Sequence, residues 1–276
     1  MLGLPRGFWG TERHPTTMGG AGQPRGTAPT KKVKRGGNAV EWAKSMKKTR
    51  KKTVLFDIDG TLLDTHGFGR EAFIRGLAHV TGARDELAYV SFAGNTDRNV
   101  LNQVMAHRKL QLAEADVRRI FDRVAEELRE LLRENPSKEI AGARGFLEHL
   151  AAEGASLGLV TGNIRACAYL KLGSVGFDRY FRFGGFGDEH ADRAMIARSA
   201  LGAAKRGGIE VKAGAICLVG DTPFDVAAGL AVGIPVIGVA TGKYGEKELL
   251  DAGATLTVAD YSDLDGLLGW LGAALK

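Results

Sequence analysis

The sequence predicts an α/β fold in which helices cover both faces of a parallel sheet and a small helical segment is inserted after the first strand. Two observations lead to this prediction. Short apolar strands alternate with helical segments from residue 145 onward, as in parallel sheets buried on both sides. One further apolar strand, at 53–56, stands apart from them, because residues 67–80 and 97–133 have helical spacing and this region has almost no strand character.

Composition separates the beginning of the chain from this fold. Residues 1–38 are rich in Gly, Pro and basic residues and lack a hydrophobic period, so they cannot bury enough apolar surface to offset the entropy of ordering. Residues 1–52 hold 13 of the 38 Lys and Arg but only two acidic residues. The rest of the chain is mildly acidic, with 25 basic and 30 acidic residues. We therefore predict a disordered basic tail over residues 1–50.

The basic tail has competing interpretations. Its Lys and Arg clusters at 31–35 and 47–52 could contact the phosphates of nucleic acid or of an acidic membrane surface. Few aromatic residues accompany them to stack on bases. A transit peptide, or a true start at Met18 or Met46, would also explain the segment.

Partners and compartment follow from absences in the sequence. No apolar run is long enough to span a bilayer and no secretory signal is evident, so we expect a cytoplasmic protein without membrane contact. Cys167 and Cys217 lie among apolar residues and are predicted to be buried free thiols. The sequence does not indicate an oligomeric state.

The predicted elements divide into a core over 51–65 and 141–276 and a helical insertion over 66–140. Apolar and β-branched runs define the strands, and apolar positions three or four residues apart define the helices. Strands are predicted at 53–56, 156–160, 181–186, 215–219, 235–239 and 256–258, and helices at 67–80, 97–133, 146–153, 164–172, 192–206, 225–231 and 263–274.

Polar side chains follow three of the predicted core strands. Asp57 and Asp59 come directly after the first strand, Thr161 follows the strand at 156–160, and Asp221 follows the strand at 215–219. In open α/β sheets, ligands bind at the carboxyl edge of the strands. We therefore expect these separated residues to meet in one crevice.

The residue types in this crevice suit phosphoryl transfer. A carboxylate such as Asp57 can attack phosphorus and form a covalent intermediate. A second carboxylate, Asp59, can give a proton to the leaving oxygen and later take one from water. Asp221 and Asp225 can help to hold Mg²⁺, which prefers oxygen ligands. Asp225 taken alone could also be a helix cap.

Three segments resemble motifs of the haloacid dehalogenase superfamily. FDIDGTLLDT at 56–65 is similar to the first motif, LVTGN at 159–163 to the second, and VGDTPFDV at 219–226 to the fourth. The resemblance covers about residues 53–270. It implies a Rossmann-like core with a small helical cap, most similar to the phosphoglycolate phosphatase-like branch.

The resemblance also implies roles for individual residues. Asp57 would be the nucleophile and a metal ligand, and Asp59 the general acid/base, its backbone carbonyl also facing the metal. Asp221 would ligate the metal, and Asp225 would belong to the metal site or support it. Phosphate would be bound by Thr161, together with Gly60, Gly162 and Asn163.

The third motif departs from the family pattern, which has a lysine there. Arg193 is the best-placed basic residue, between Thr161 and Asp221, and Lys205 is the alternative. In the insertion, residues 92–97 resemble the cap loop that reaches the active site, so Thr96 is a candidate phosphate-binding residue. Thr96 could equally be an ordinary helix N-cap.

These motifs favour a Mg²⁺-dependent phosphatase that hydrolyses a small phosphomonoester, such as phosphoglycolate or a sugar phosphate, through an aspartyl phosphate. Asp59 argues against the dehalogenase branch, which lacks this residue. A sugar-phosphate mutase stays open, with His66 as the only obvious basic residue just after the first motif. A nucleic-acid end-phosphatase that uses the basic tail, and a silent binding module, are further alternatives.

Overall fold

A computed structural model describes residues 51–275. The predicted basic tail lies outside these residues. Among the helices of the described part, none combines the length and apolar character that a membrane crossing requires.

The core is a six-stranded sheet in the order β5-β4-β1-β6-β7-β8, with every neighbouring pair parallel. The predicted α/β class is therefore confirmed. The strands are β1 Thr53–Phe56, β4 Ser156–Val160, β5 Phe183–Gly185, β6 Ile216–Gly220, β7 Val236–Val239 and β8 Leu256–Val258.

The first strand occupies the centre of this sheet. All four residues of β1 are buried, which explains its apolar and β-branched composition, because helices cover both faces. Phe56 is in register with Leu159 of β4 on one side and with Val219 of β6 on the other. The loops after these three strands therefore begin at nearly the same level of the sheet edge.

Nine α-helices occur in the described residues. They are α1 Phe68–Thr81, α2 Asp97–Arg108, α3 Glu114–Glu134, α4 Ala143–Ala152, α5 Arg165–Ser174, α6 Arg193–Arg206, α7 Pro223–Ala231, α8 Glu246–Asp251 and α9 Leu264–Ala274.

The first three helices form the insertion and supply most residues of one hydrophobic cluster. α1 packs along α3, and α2 adds Val100, Leu101 and Val104 to the cluster. The cluster also includes Ile164 and Cys167, which belong to the core around α5. The insertion is thus joined to the core by apolar packing as well as by the chain.

A two-stranded antiparallel ribbon links the insertion to the core. β2 (Leu63–Asp64) pairs with β3 (Lys138–Glu139). The sequence did not reveal this ribbon, because two residues are too few to show a period of two. It also did not reveal α8, and it showed one helical region where α2 and α3 are separated by a turn at Lys109, whose φ is 53°.

Both cysteines are buried and free, as the apolar surroundings predict. Burial raises the pKa of the Cys217 thiol to about 12, so it is an inert core residue.

Gly76 allows α1 and α3 to approach closely. A Cβ atom at this position would lie 2.7 Å from the backbone nitrogen of Val124, which cannot move aside as a side chain could. We expect Gly76→Ala to destabilise the protein by about 1–3 kcal/mol, as overpacking does. Thermal unfolding followed by circular dichroism measures this.

Gly145→Ala is the matched control, because a Cβ at this exposed position of α4 would meet nothing within 4 Å. It should raise stability by about 0.5–1 kcal/mol through helix propensity. Equal effects of the two substitutions would contradict the packing described here.

Candidate active site

Asp57 emerges from the centre of the carboxyl edge of the sheet, directly after β1. Its side chain is almost fully buried, and Nη2 of Arg193 lies 2.8 Å from its Oδ1. Burial raises the pKa of Asp57 to about 7; Arg193 opposes this rise, while Asp225 and Asp59 add to it. A further cation beside this carboxyl would favour its ionised, nucleophilic form.

Arg193, the candidate for the third motif, contacts two of the site carboxylates. It is the first residue of α6 and is 8% exposed. The same Nη2 that contacts Asp57 lies 2.7 Å from Oδ1 of Asp225. Lys205, the alternative, is exposed in the last turn of α6 and does not line the cavity that contains Asp57.

Three carboxylates converge beside Arg193. Oxygen atoms of Asp57, Asp221 and Asp225 all lie within 4.8 Å of one another. Burial raises the pKa of Asp221 well above its usual range, and the charges of Asp225 and Asp57 raise it further. Such a buried set of like charges and hard oxygen donors fits a divalent cation of the Mg²⁺ kind.

Hydrogen bonds distinguish Asp221 from Asp225. Thr61 donates to Oδ1 of Asp221 at 3.0 Å. Asp225 accepts from the hydroxyl of Thr222 at 2.6 Å, on the oxygen that does not contact Arg193. Asp225 therefore has both oxygens engaged, whereas Asp221 has one.

Gly60, a predicted phosphate-binding residue, lies beside the carboxylate of Asp221. It has a φ of 77°, a left-handed conformation that side chains disfavour. A Cβ atom at this position would also overlap the carboxylate of Asp221. The turn after β1 thus requires glycine for two independent reasons.

Asp59 is held by Lys171, a residue that the sequence did not single out, together with Asn163 and Thr65. Lys171 of α5 lies 2.8 and 2.7 Å from its two oxygens, and Asn163 donates to Oδ2 at 2.7 Å. Thr65 donates to Oδ1 at 3.2 Å. Burial would raise the pKa of Asp59, but the charge and hydrogen bonds of Lys171, with help from Asn163, hold it below its usual range.

The loop after β4 carries the second motif. The Thr161 hydroxyl is buried and accepts from the side-chain nitrogen of Asn163 at 2.8 Å. A Cβ atom on Gly162 would overlap the backbone oxygen of Asn95 in the insertion, so glycine is needed where the two parts meet.

The start of α2 is bound to this loop by backbone hydrogen bonds. The backbone nitrogen of Asp97 donates to Gly162 O at 2.8 Å, and that of Arg98 donates to Gly187 O at 3.0 Å. In return, the Asp97 carboxylate accepts from the backbone nitrogen of Ile164 at 2.7 Å. Burial raises the pKa of Asp97 to about 6, although the Ile164 N–H opposes this.

The structure places Thr96 at the N-cap of α2. Its hydroxyl accepts from the backbone nitrogen of Asn99 at 3.1 Å and donates to Ala191 O at 3.1 Å. Thr96 lines a neighbouring cavity of about 620 Å³ rather than the one that contains Asp57.

The cavity that contains Asp57 has a volume of about 290 Å³. Core and insertion both line it, and Arg70, Phe92 and Lys243 add two cations and one aromatic ring. Of the predicted site residues, it brings together Asp57, Asp59, Gly60, Gly162, Asn163, Arg193 and Asp221, whereas Thr161, Asp225 and Thr96 do not line it. The size suits a small ester better than a large ligand.

Comparison with known families settles the classification. The family model described as "Haloacid dehalogenase-like hydrolase" matches residues 54–239. The chain belongs to this family. The predicted family and hydrolase class are therefore confirmed.

A relative named as a phosphatase is consistent with this assignment. "Probable phosphatase IndB" of Dickeya dadantii (strain 3937) is 27% identical over 224 residues, which cover 78% of this chain and 93% of the relative.

Solved structures share the fold. CbbY from Rhodobacter sphaeroides, in complex with phosphate, has a TM-score of 0.61 at 21% identity and covers 77% of this chain and 96% of its own. A structure described as a "predicted phosphoglycolate phosphatase" from Haemophilus somnus 129pt has a TM-score of 0.60 at 22% identity, covering 80% and 99%.

Lys171 left one trace in the sequence. It is a lone lysine in the apolar stretch 164–172, where its neighbours Ala168 and Leu172 are fully buried. A charged residue on the buried face of a helix needs a partner, and here the partner is Asp59, in the loop after β1. The sequence gives no spacing rule that connects residue 171 with residue 59.

Arg193 contacts both Asp57 and Asp225, so we expect its removal to lower the activity of the site. We expect Arg193→Ala to lower the turnover of p-nitrophenyl phosphate by roughly 10²–10³-fold, as the loss of a preorganised charge contact does. Lys205→Ala should leave turnover unchanged, because Lys205 is exposed on the far end of the same helix. A larger loss in Lys205→Ala would contradict the assignment.

Proposed function

We propose that this protein is a Mg²⁺-dependent phosphatase that hydrolyses a small phosphomonoester through an aspartyl phosphate on Asp57. The observation that carries the proposal is one small cavity with two carboxylates, Asp57 and Asp59, each paired with a different buried cation. Family membership and the phosphatase relative support it.

Asp57 and Asp221 are the carboxylates we assign to the metal. Asp225 has both oxygens engaged and supports the site by holding Arg193. The backbone carbonyl of Asp59 would complete the protein ligands, as the family resemblance implies. Bound Mg²⁺ supplies the positive charge that lets an anionic carboxylate approach an anionic phosphate.

In the first step, a carboxylate oxygen of Asp57 attacks phosphorus and the bond to the ester oxygen breaks. The leaving oxygen takes a proton by way of Asp59, which receives it from solvent when the anionic substrate binds; in the free protein Lys171 holds the pKa of Asp59 below its usual range. Arg193 offsets negative charge beside the nucleophile, and the Thr161 hydroxyl and nearby backbone N–H groups bind phosphoryl oxygens.

In the second step, water attacks phosphorus of the aspartyl phosphate. Its proton passes to the Asp59 carboxylate, the bond between phosphorus and the Asp57 oxygen breaks, and inorganic phosphate leaves. The insertion covers the cavity from one side, because α2 is hydrogen-bonded to the loops after β4 and β5.

The cavity favours a small phosphate ester such as phosphoglycolate or a sugar phosphate. A mutase has less support, because His66 is exposed and does not line the cavity. An end-phosphatase acting on nucleic acid would depend on the basic tail, and this alternative stays a prediction.

Substitution of the nucleophile tests the proposal. We expect wild-type protein with Mg²⁺ to release phosphate from at least one member of a panel of phosphoglycolate, sugar phosphates, nucleotides and a 5′-phosphorylated oligonucleotide. Asp57→Asn should abolish this release, because the amide has the same shape but cannot attack phosphorus. Asp251→Asn, at an exposed position of α8, is the control. Substantial release by Asp57→Asn would disprove the mechanism.

Removal of the metal gives an independent test. We expect EDTA to stop phosphate release and added Mg²⁺ to restore it. Asp221→Asn should require more Mg²⁺ for half-maximal rate, because it removes one anionic ligand. Full activity in the presence of the chelator would contradict the metal requirement.

A further inference from the structure

Lys171 reaches the catalytic cavity from α5 and uses its whole ammonium group there. The residue is 3% exposed, and Nζ lies 2.8 and 2.7 Å from the two oxygens of Asp59 and 2.6 Å from Oδ1 of Asn163. An ammonium has three N–H donors, and each of them has a partner in this set.

Stability alone does not account for a lysine at this position. Burying an ammonium costs free energy, and an apolar residue of similar size in place of a buried ion pair is often as stable or more so. Ala168 and Leu172, on the same buried side of α5, show that the surroundings accept apolar side chains. The charge is therefore better explained by what it does to Asp59.

The contacts hold the Asp59 carboxyl from several directions. Lys171 and Asn163 bind from the core, and Thr65 binds from the chain after β2. Gly69 of α1 leaves room for the ammonium, since a Cβ atom there would lie 3.1 Å from Nζ. Rotation of the carboxyl would break hydrogen bonds on both of its oxygens.

Lys171 is also poorly suited to a covalent role. Imine formation with a carbonyl substrate would need an accessible, neutral amine. The Nζ atom is instead buried and donates to three oxygens.

We propose that Lys171 is a positioning residue that holds Asp59 in the orientation required to take the proton from the attacking water. This inference rests on the proposed function. It assigns to Lys171 a part in the hydrolysis of the aspartyl phosphate, in which the water proton moves to Asp59 as the bond from phosphorus to Asp57 breaks.

The two chemical steps depend on Asp59 to different extents. A weakly basic leaving group such as p-nitrophenolate departs without a proton, whereas an alkoxide needs one from Asp59. Hydrolysis of the aspartyl phosphate needs Asp59 whatever the substrate was. Loss of Lys171 should therefore spare the first step with p-nitrophenyl phosphate and slow the second.

The test is stopped-flow kinetics of Lys171→Met with p-nitrophenyl phosphate and Mg²⁺. We expect the first turnover to keep nearly the wild-type rate and later turnovers to slow by about 10²-fold, the usual contribution of a general base. The result is a burst of p-nitrophenolate close to one per active site. With an alkyl phosphate substrate, the same variant should release the alcohol without a burst, since both chemical steps slow.

Controls separate positioning from a structural role. Lys247→Met, whose lysine side chain is 85% exposed, should behave as wild type. Thermal unfolding of Lys171→Met should occur above the assay temperature; if it does not, Lys171→Gln, which keeps a donor without the charge, replaces it with the same expected burst.

Two results would overturn the inference: wild-type turnover in the variant, or a loss that affects the first turnover as much as later ones. Failure of the proposed function is distinguishable, because wild-type protein would then release phosphate neither from p-nitrophenyl phosphate nor from the panel above, or Asp57→Asn would retain release.

Discussion

The candidate site depends on the neutralisation of buried carboxylates by cations that come from separate helices. Arg193, at the start of α6, bridges Asp57 and Asp225, and Lys171, in α5, holds Asp59. Without these cations the buried carboxylates would favour their protonated forms, because burial and the charge of neighbouring carboxylates both disfavour ionisation. The opposite pKa shifts of Asp57 and Asp59 reflect this division. Burial raises the pKa of both groups, but at Asp59 the charge and hydrogen bond of Lys171, together with the hydrogen bonds of Asn163 and Thr65, outweigh it.

Sheet register turns these separate residues into one site. Phe56 is in register with Leu159 on one side and with Val219 on the other, so the loops after β1, β4 and β6 start at nearly the same level of the sheet edge. Close approach requires glycine at two places: at Gly60 the neighbour is Asp221 of the loop after β6, and at Gly162 it is the backbone of Asn95 in the insertion. The insertion meets the same loops through the backbone of Asp97, which links the shape of the cavity to the position of α2.

The sequence was sufficient to predict the sheet and the order of the chemistry-bearing loops. Buried parallel strands are short apolar runs, and their ends are marked by polar residues, so β1, β4 and β6 could be recognised within one residue. Arg193 could be placed because it begins a helix after a strand, as the third motif requires.

Other features of the site could not be predicted, because they arise from tertiary contacts. Lys171 and Asp59 are 112 residues apart and lie on different elements, and no local pattern joins them. The docking of Asp97 on the loop after β4 likewise uses backbone groups, which any sequence supplies. Thr96 had two interpretations of equal weight, and only the fold shows its hydroxyl in the cap of α2.

The covalent intermediate on Asp57 is the central claim, and chemical trapping tests it most directly. Wild-type protein would be mixed with a substrate that it hydrolyses, quenched in acid within the first turnover and reduced with borohydride, which converts an aspartyl phosphate to homoserine. Peptide mass spectrometry would then locate the modified residue. The account predicts homoserine at position 57, dependent on substrate. Modification of another carboxylate, or none during active turnover, would contradict it.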